Sequence, residues 1–183
     1  MLVDIGGQKA KRDMGGKWKI CDIAKGSDYP CNLNIEPLPF KNNSIDAIFC
    51  SHLLEHLEPD SLPTALLQMR RVLKPGAPMR ICVPDAGLAV KWFMENPSML
   101  RKPGMPAKLK SVPATKMGFL TCWFYTSGKG HRIGFDWELL QAYLREAKFK
   151  KIARKKFNKG SEVFKGKDYT RYRTNSIFCE VVK

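Results

Sequence analysis

The 183-residue chain, 44% hydrophobic, has the composition of an ordinary globular protein and is long enough to bury one core without disulfides or a structural metal. No apolar run approaches the roughly 18 to 20 residues that cross a membrane, which excludes a transmembrane helix. The formal net charge of +15 is unevenly placed: residues 1–100 hold 12 Lys and Arg against 11 Asp and Glu, and residues 101–183 hold 20 against 6.

In chain order, the apolar run Met1-Leu-Val-Asp-Ile5 opens directly on a first strand, Leu2–Ile5, which Gly6-Gly7 ends. No secretory signal is visible ahead of it, so a cytoplasmic protein is expected. Trp18–Ile23 reads as a second strand, Ile45–Cys50 as a third and Met79–Val83 as a fourth. Between the last two, Leu62, Ala65, Leu66, Met69, Val72 and Leu73 recur at spacings of three and four, giving one apolar helical face. Asp60 or Ser61 is the expected cap, Pro63 fits the first turn, and Lys74-Pro75-Gly76 stops the helix.

Ala86–Glu95 predicts a further helix, with Leu88, Val90, Trp92 and Phe93 as its apolar surface. From about 96 to 130 the texture changes. Prolines at 97, 103, 106 and 113, Gly104, scattered lysines and the aromatic cluster Phe119, Trp123, Phe124 and Tyr125 predict an irregular insertion. Asp136 then caps a helix buried through Leu139, Leu140, Tyr143, Leu144 and Ala147. Phe149–Phe157 and Asn175–Val182 read as closing strands, joined by a Lys- and Gly-rich segment, 158–173, expected to be a mobile hairpin loop. Alternation of short strands with helices predicts an α/β fold with a mostly parallel sheet and a single domain over 1–183.

The six cysteines, at 21, 31, 50, 82, 122 and 179, form no Cys-x-x-Cys pair and no cluster with histidine, and read as reduced, buried thiols. His52, Glu55 and His56 lie close in sequence, but no third distant ligand is evident, so no metal is expected.

Several segments carry a family pattern: Asp4-Ile-Gly-Gly7, Gly16-Lys-Trp-Lys-Ile-Cys-Asp22, Cys31-Asn-Leu-Asn-Ile-Glu-Pro-Leu-Pro-Phe40, Ser44-Ile-Asp46 running into Ser51-His-Leu-Leu-Glu-His56, and Val83-Pro-Asp85. Together they resemble small S-adenosylmethionine-dependent methyltransferases of the Rossmann-like, type 11-like group. That resemblance implies a three-layer sandwich closed by an antiparallel C-terminal hairpin, and S-adenosylmethionine as cofactor. It implies cofactor contacts from Asp4, Gly6 and Gly7 at the first strand's end and ribose contacts from Asp22. Asn32 and Leu33 would meet the adenine, and Ser51 and His52 the rim where cofactor and acceptor come together. Glu55 and His56 would orient the following loop. Asp85, His52 and His131, the last in Gly130-His-Arg-Ile-Gly-Phe-Asp136, are the candidates near the transferred methyl. A histidine there can take a proton from a hydroxyl or simply hold its loop.

The implied activity is methyl transfer to an oxygen or nitrogen of a small-molecule or glycan-type acceptor. One rival is an inactive protein of the same fold that holds nucleic acid or a protein partner through its basic half, where Lys148, Lys150, Lys151, Arg154, Lys155 and Lys156 cluster. The other is a nucleic-acid methyltransferase. Ser51-His52-Leu53-Leu54 stands where base-amino enzymes of the family carry Asn/Asp-Pro-Pro-Tyr/Phe, which argues against that chemistry. Oligomeric state and the identity of the acceptor are not legible.

Overall fold

A computed structural model describes residues 1–7, 14–101, 112–125 and 130–183. Seven strands form one sheet: β1 (Leu2–Ile5), β2 (Trp18–Asp22), β3 (Tyr29–Pro30), β4 (Ala47–Ser51), β5 (Pro78–Pro84), β6 (Lys150–Lys155) and β7 (Ser176–Val182). Their order is β3-β2-β1-β4-β5-β7-β6. The first five are parallel, and β7 runs antiparallel to both β5 and β6. Among the described residues, four α-helices accompany them: α1 (Leu62–Val72), α2 (Ala86–Glu95), α3 (Lys116–Phe124) and α4 (Trp137–Glu146). The mostly parallel sheet flanked by helices is the α/β fold that the strand and helix pattern predicts, in the Rossmann-like form that the resemblance implies.

The main core lies on one face of the sheet. Val3 and Ile5 of β1, Ile48 and Cys50 of β4, Met79, Ile81 and Val83 of β5 and Ile177, Cys179 and Val181 of β7 all point to it, as the period-2 alternation of strands demands. Leu62, Ala65, Leu66, Met69 and Val72 of α1 and Leu140 and Leu144 of α4 cover them. Ser61 occupies the cap position of α1 without a side-chain cap bond; its hydroxyl donates to the Asn34 carbonyl instead. Asp136 does cap α4, accepting from Leu139 N–H at 2.8 Å.

The opposite face is covered differently. Trp18, Ala47 and Phe49 pack there against Met14 and Phe164, the latter from the 158–173 connection. That connection is not the loose hairpin loop expected. It makes two 3-10 turns, Glu162–Phe164 and Thr170–Tyr172, and is bolted to the sheet through Arg80, a fully buried residue of β5. Asp168 pairs with the Arg80 guanidinium, which also donates to Glu180 Oε1 at 3.0 Å and to the Lys159 and Lys156 carbonyls. Asp168 accepts from Asn158 N–H, and Glu180 from Ser161 N–H and Oγ, so every charge has several partners.

The 96–130 stretch is likewise more ordered than its prolines suggest. It contains a 3-10 turn at Pro97–Arg101 and all of α3, capped by Thr115 Oγ1, which accepts from Gly118 N–H at 3.0 Å. Leu100 and Trp123 join Ala86 and Ala89 of α2 in a small separate core. Residues 102–111 and 126–129, also assigned to the insertion, lie outside the described residues.

Candidate functional site

Strand order reverses between β1 and β4: the chain goes from β1 outward to β2 and β3, then returns to the other side of β1 for β4 and β5. In parallel α/β sheets, ligands bind at the carboxyl ends of the strands flanking such a reversal. Parallel register puts Ile5, Cys21 and Cys50 level, so Gly6, Gly7, Asp22, Ser51 and His52 all emerge at that edge. The sequence expected these residues together, and they are.

The turn after β1 has no space for side chains. Gly6 adopts φ +79°, and a Cβ on it would fall 2.8 Å from Leu53 Cβ. A Cβ on Gly7 would fall 2.2 Å from the buried Asp4 carboxylate. The backbone therefore passes directly over Asp4, and only glycine fits both positions. Asp22, half-buried at the end of β2, accepts from Ala24 N–H at 2.7 Å through Oδ1. Asn32 stands in the turn after β3. Its Oδ1 accepts from Asn34 N–H at 3.1 Å, turning the amide oxygen into its own loop, while Leu33 is buried in the main core.

The exit of β4 is the most concentrated chemistry in the molecule. His52 sits in the left-handed backbone region, φ 52°, and its ring stacks on Tyr172 with centroids 3.4 Å apart. Its Nε2 lies 3.1 Å from Ser176 Oγ and its Nδ1 3.2 Å from Glu55 Oε1. Ser51 Oγ is buried beside the Cys82 thiol. Glu55, on a 3-10 turn at Leu54–His56, is 1% exposed, and His56 Nε2 lies 3.8 Å from the same Oε1. The segment after α3 folds back onto this turn: Arg132 and Ile133 N–H both donate to the Glu55 carbonyl, at 2.7 and 3.3 Å. That brings in His131, its ring centroid 5.2 Å from that of His56 and 4.9 Å from that of Trp123, both in T-shaped contact.

Burial opposes the charge on Glu55, but His52 and His56 outweigh it and hold the carboxyl below its ordinary range. Burial pushes His131 down to about 4, an effect Glu55 only partly offsets, so its imidazole is neutral at neutral pH.

Asp85 lies at the same edge but is occupied as a helix cap. Oδ1 accepts from Leu88 N–H at 2.9 Å, and Oδ2 faces Arg154 at 3.3 Å. Sequence reasoning made His52 and His131 candidates near the transferred methyl, assigned Glu55 and His56 to loop support and found no third distant partner for them. The structure supplies one in His131. Tyr172, which covers His52, was not anticipated; the only signal for it was its place in the aromatic-rich end of the 158–173 connection.

No helix among the described residues is long and apolar enough to cross a membrane. Residues 19–81 match the methyltransferase domain family, the span that runs from β2 through β5. Over 43 residues the chain is 46% identical to the probable methyltransferase ltbC of Aspergillus luteorubrus; the match takes in 23% of this chain and 15% of that protein's length. Solved structures share the fold across the whole chain. One is a SAM-dependent methyltransferase, possible histamine N-methyltransferase, of Thermotoga maritima, 16% identical at TM-score 0.61, covering 100% of this chain and 81% of that one. Another is 1,6-didemethyltoxoflavin-N1-methyltransferase of Burkholderia thailandensis with its substrate and S-adenosylhomocysteine bound, 16% identical at TM-score 0.55, covering 100% and 70%.

Proposed function

We propose that this chain, which has the fold of the small S-adenosylmethionine-dependent methyltransferases and their domain pattern over residues 19–81, transfers a methyl group from S-adenosylmethionine to a small-molecule acceptor. The atom methylated is an oxygen or nitrogen, and glycan-type acceptors fall within the same reading. The observation that carries it is the glycine turn over Asp4, a cradle that any Cβ would fill, opening at the reversal of strand order beside Asp22.

In this reading the Gly6-Gly7 backbone and Asp4 hold the amino-acid end of the cofactor. Asp22 accepts hydrogen bonds from the ribose hydroxyls, and the Asn32–Leu33 turn meets the adenine. When bound, S-adenosylmethionine supplies a methyl already activated on a sulfonium, so the protein's main contribution is alignment. Ser51 and His52 form the rim between cofactor and acceptor. His131, neutral and partly buried, accepts a hydrogen bond from the acceptor's hydroxyl or amine and takes its proton as the methyl moves. Asp85 acts through α2 and Arg154, which it positions.

Calorimetric titration with S-adenosylmethionine and S-adenosylhomocysteine tests this. Both ligands should bind, and Asp22→Ala should weaken binding by about 1 to 3 kcal/mol, the value of a hydrogen bond to a charged group and the cost of losing it. Absence of binding to either ligand would overturn the proposal.

A further inference from the structure

Glu55 and His56 serve no step of the proposed methyl transfer, and they meet His131, which an ion here would hold in place of its role as proton acceptor. Each offers a ligand atom, and these atoms all lie within 4.8 Å of one another. We propose that these three side chains form a divalent-metal site of the two-histidine, one-carboxylate kind, suited to zinc.

The first support is polar accounting. Glu55 is 1% exposed; its Oε1 faces two imidazole nitrogens, His52 Nδ1 at 3.2 Å and His56 Nε2 at 3.8 Å, and its buried Oε2 has no hydrogen-bond partner. His131 Nδ1 is also buried without a hydrogen-bond partner. A buried carboxylate and a buried imidazole left in this way cost free energy unless something binds between them.

The second support is orientation. His56 Nδ1 lies 3.2 Å from the Gly130 carbonyl, to which it donates as an N–H. That bond fixes the tautomer, so Nε2 carries the lone pair, and Nε2 is the nitrogen facing Glu55. Metal-binding histidines are held in this manner, with one ring nitrogen donating to a carbonyl and the other turned to the ion. His52, anchored on Ser176 Oγ, stands outside the three and steers Glu55 Oε1.

The third is geometry. A tetrahedral ion about 2.1 Å from each ligand sets neighbouring ligand atoms roughly 3.4 Å apart, so rotations about the side-chain bonds suffice to close the present separations. Two imidazoles with one carboxylate suit zinc and its neighbours; calcium and magnesium call for oxygen ligands. Trp123, packed edge-on to His131, supplies an apolar wall. Three protein ligands leave a fourth place for water or an acceptor atom. The two loops that meet here are already joined by the Arg132 and Ile133 bonds to the Glu55 carbonyl, so an ion would staple the segment after α3 to the exit of β4. None of this depends on methyl transfer.

The test uses the full chain stripped with a chelator and titrated with cobalt(II), then with zinc in competition. One ion per chain should bind, giving visible d–d bands without the thiolate charge-transfer band that any of the six cysteines would add. His56→Ala, His131→Ala and Glu55→Gln should each weaken binding by about 100-fold or more, beyond the roughly 10- to 100-fold seen when a supporting group alone is lost. The chain has only three histidines, so imidazole nitrogen spectra of the unmodified protein give a reading that needs no variant. Zinc should move the resonances of His56 and His131 strongly. Absence of cobalt bands, a thiolate band, unchanged affinity in the variants, or unmoved resonances of these two histidines would each overturn the site.

Discussion

Gly7 shows how little freedom a single position can have. Its missing Cβ is what lets the backbone lie on the Asp4 carboxylate, so Gly7→Ala must displace one or the other. We expect that variant to fold and to lose S-adenosylhomocysteine affinity by at least an order of magnitude in the same calorimetric titration; unchanged affinity would mean that the turn does not face the cofactor. Residues of this kind are legible in sequence because their constraint is local: a glycine pair after an apolar run, an acid at a strand end. Glu55 and His131 are not. They are 76 positions apart, and the bonds that unite them run from backbone N–H groups of Arg132 and Ile133 to a carbonyl, a contact that leaves no mark on residue type. His-x-x-Glu-His alone could therefore be read only as half of a site.

At the scale of elements, the connection between β6 and β7 departs furthest from its sequence. Its lysines and glycines suggest a loop in solvent, yet Phe164 and Asp168 make it a layer of the core. Arg80 was the available signal: an arginine in the middle of an otherwise apolar strand needs partners, and two acids from distant segments provide them. Asp168→Ala leaves that guanidinium short of counter-charge in the interior and should destabilise the protein by about 3 to 5 kcal/mol, read as a lowered urea midpoint. A loss under 1 kcal/mol would mean that the connection is not fastened through this pair. Helices α1, α2 and α4 were legible from the spacing of apolar residues, but Val90 and Leu139, read as part of their apolar faces, are exposed, and α2 buries Ala86 and Ala89 instead. α3 was not legible, because it is apolar on nearly every side and follows a run of prolines, so neither periodicity nor breaker residues reveal it.

For the molecule as a whole, the six buried thiols and the basic half give two expectations. Burial raises Cys21 and Cys179 from the ordinary 9.0 to about 12. The unfolded chain loses these protons near pH 9 while the folded chain keeps them, so their contribution to stability is complete below pH 9 and is lost as pH rises toward 12. Stability measured by urea should fall across that window, and Cys179→Ala should flatten the slope; identical slopes would refute the linkage. Lys150 and Lys151 of β6, and Lys156 just past its end, are exposed along an edge strand whose charges also discourage pairing with other chains. Replacing all three by Gln should bring elution from an immobilised polyanion to lower salt, and unchanged elution would remove this strand as the contact surface.

The position of β7 carries a consequence for how the protein comes into being. Last of the seven strands in sequence, it lies between β5 and β6 and is, among the described residues, the strand that β6 pairs with. Synthesis delivers the chain from its amino end. Until Ser176–Val182 emerge, the parallel half ends in an open edge at β5, β6 has nothing to pair with, and Glu180 is not there to meet Arg80. The Ser176 hydroxyl that anchors His52 arrives in the same few residues. Sheet, interior charge cluster and candidate site are thus completed in one late event, and a ribosome that stalled before residue 176 would hold a chain with most of its helices made and no finished site.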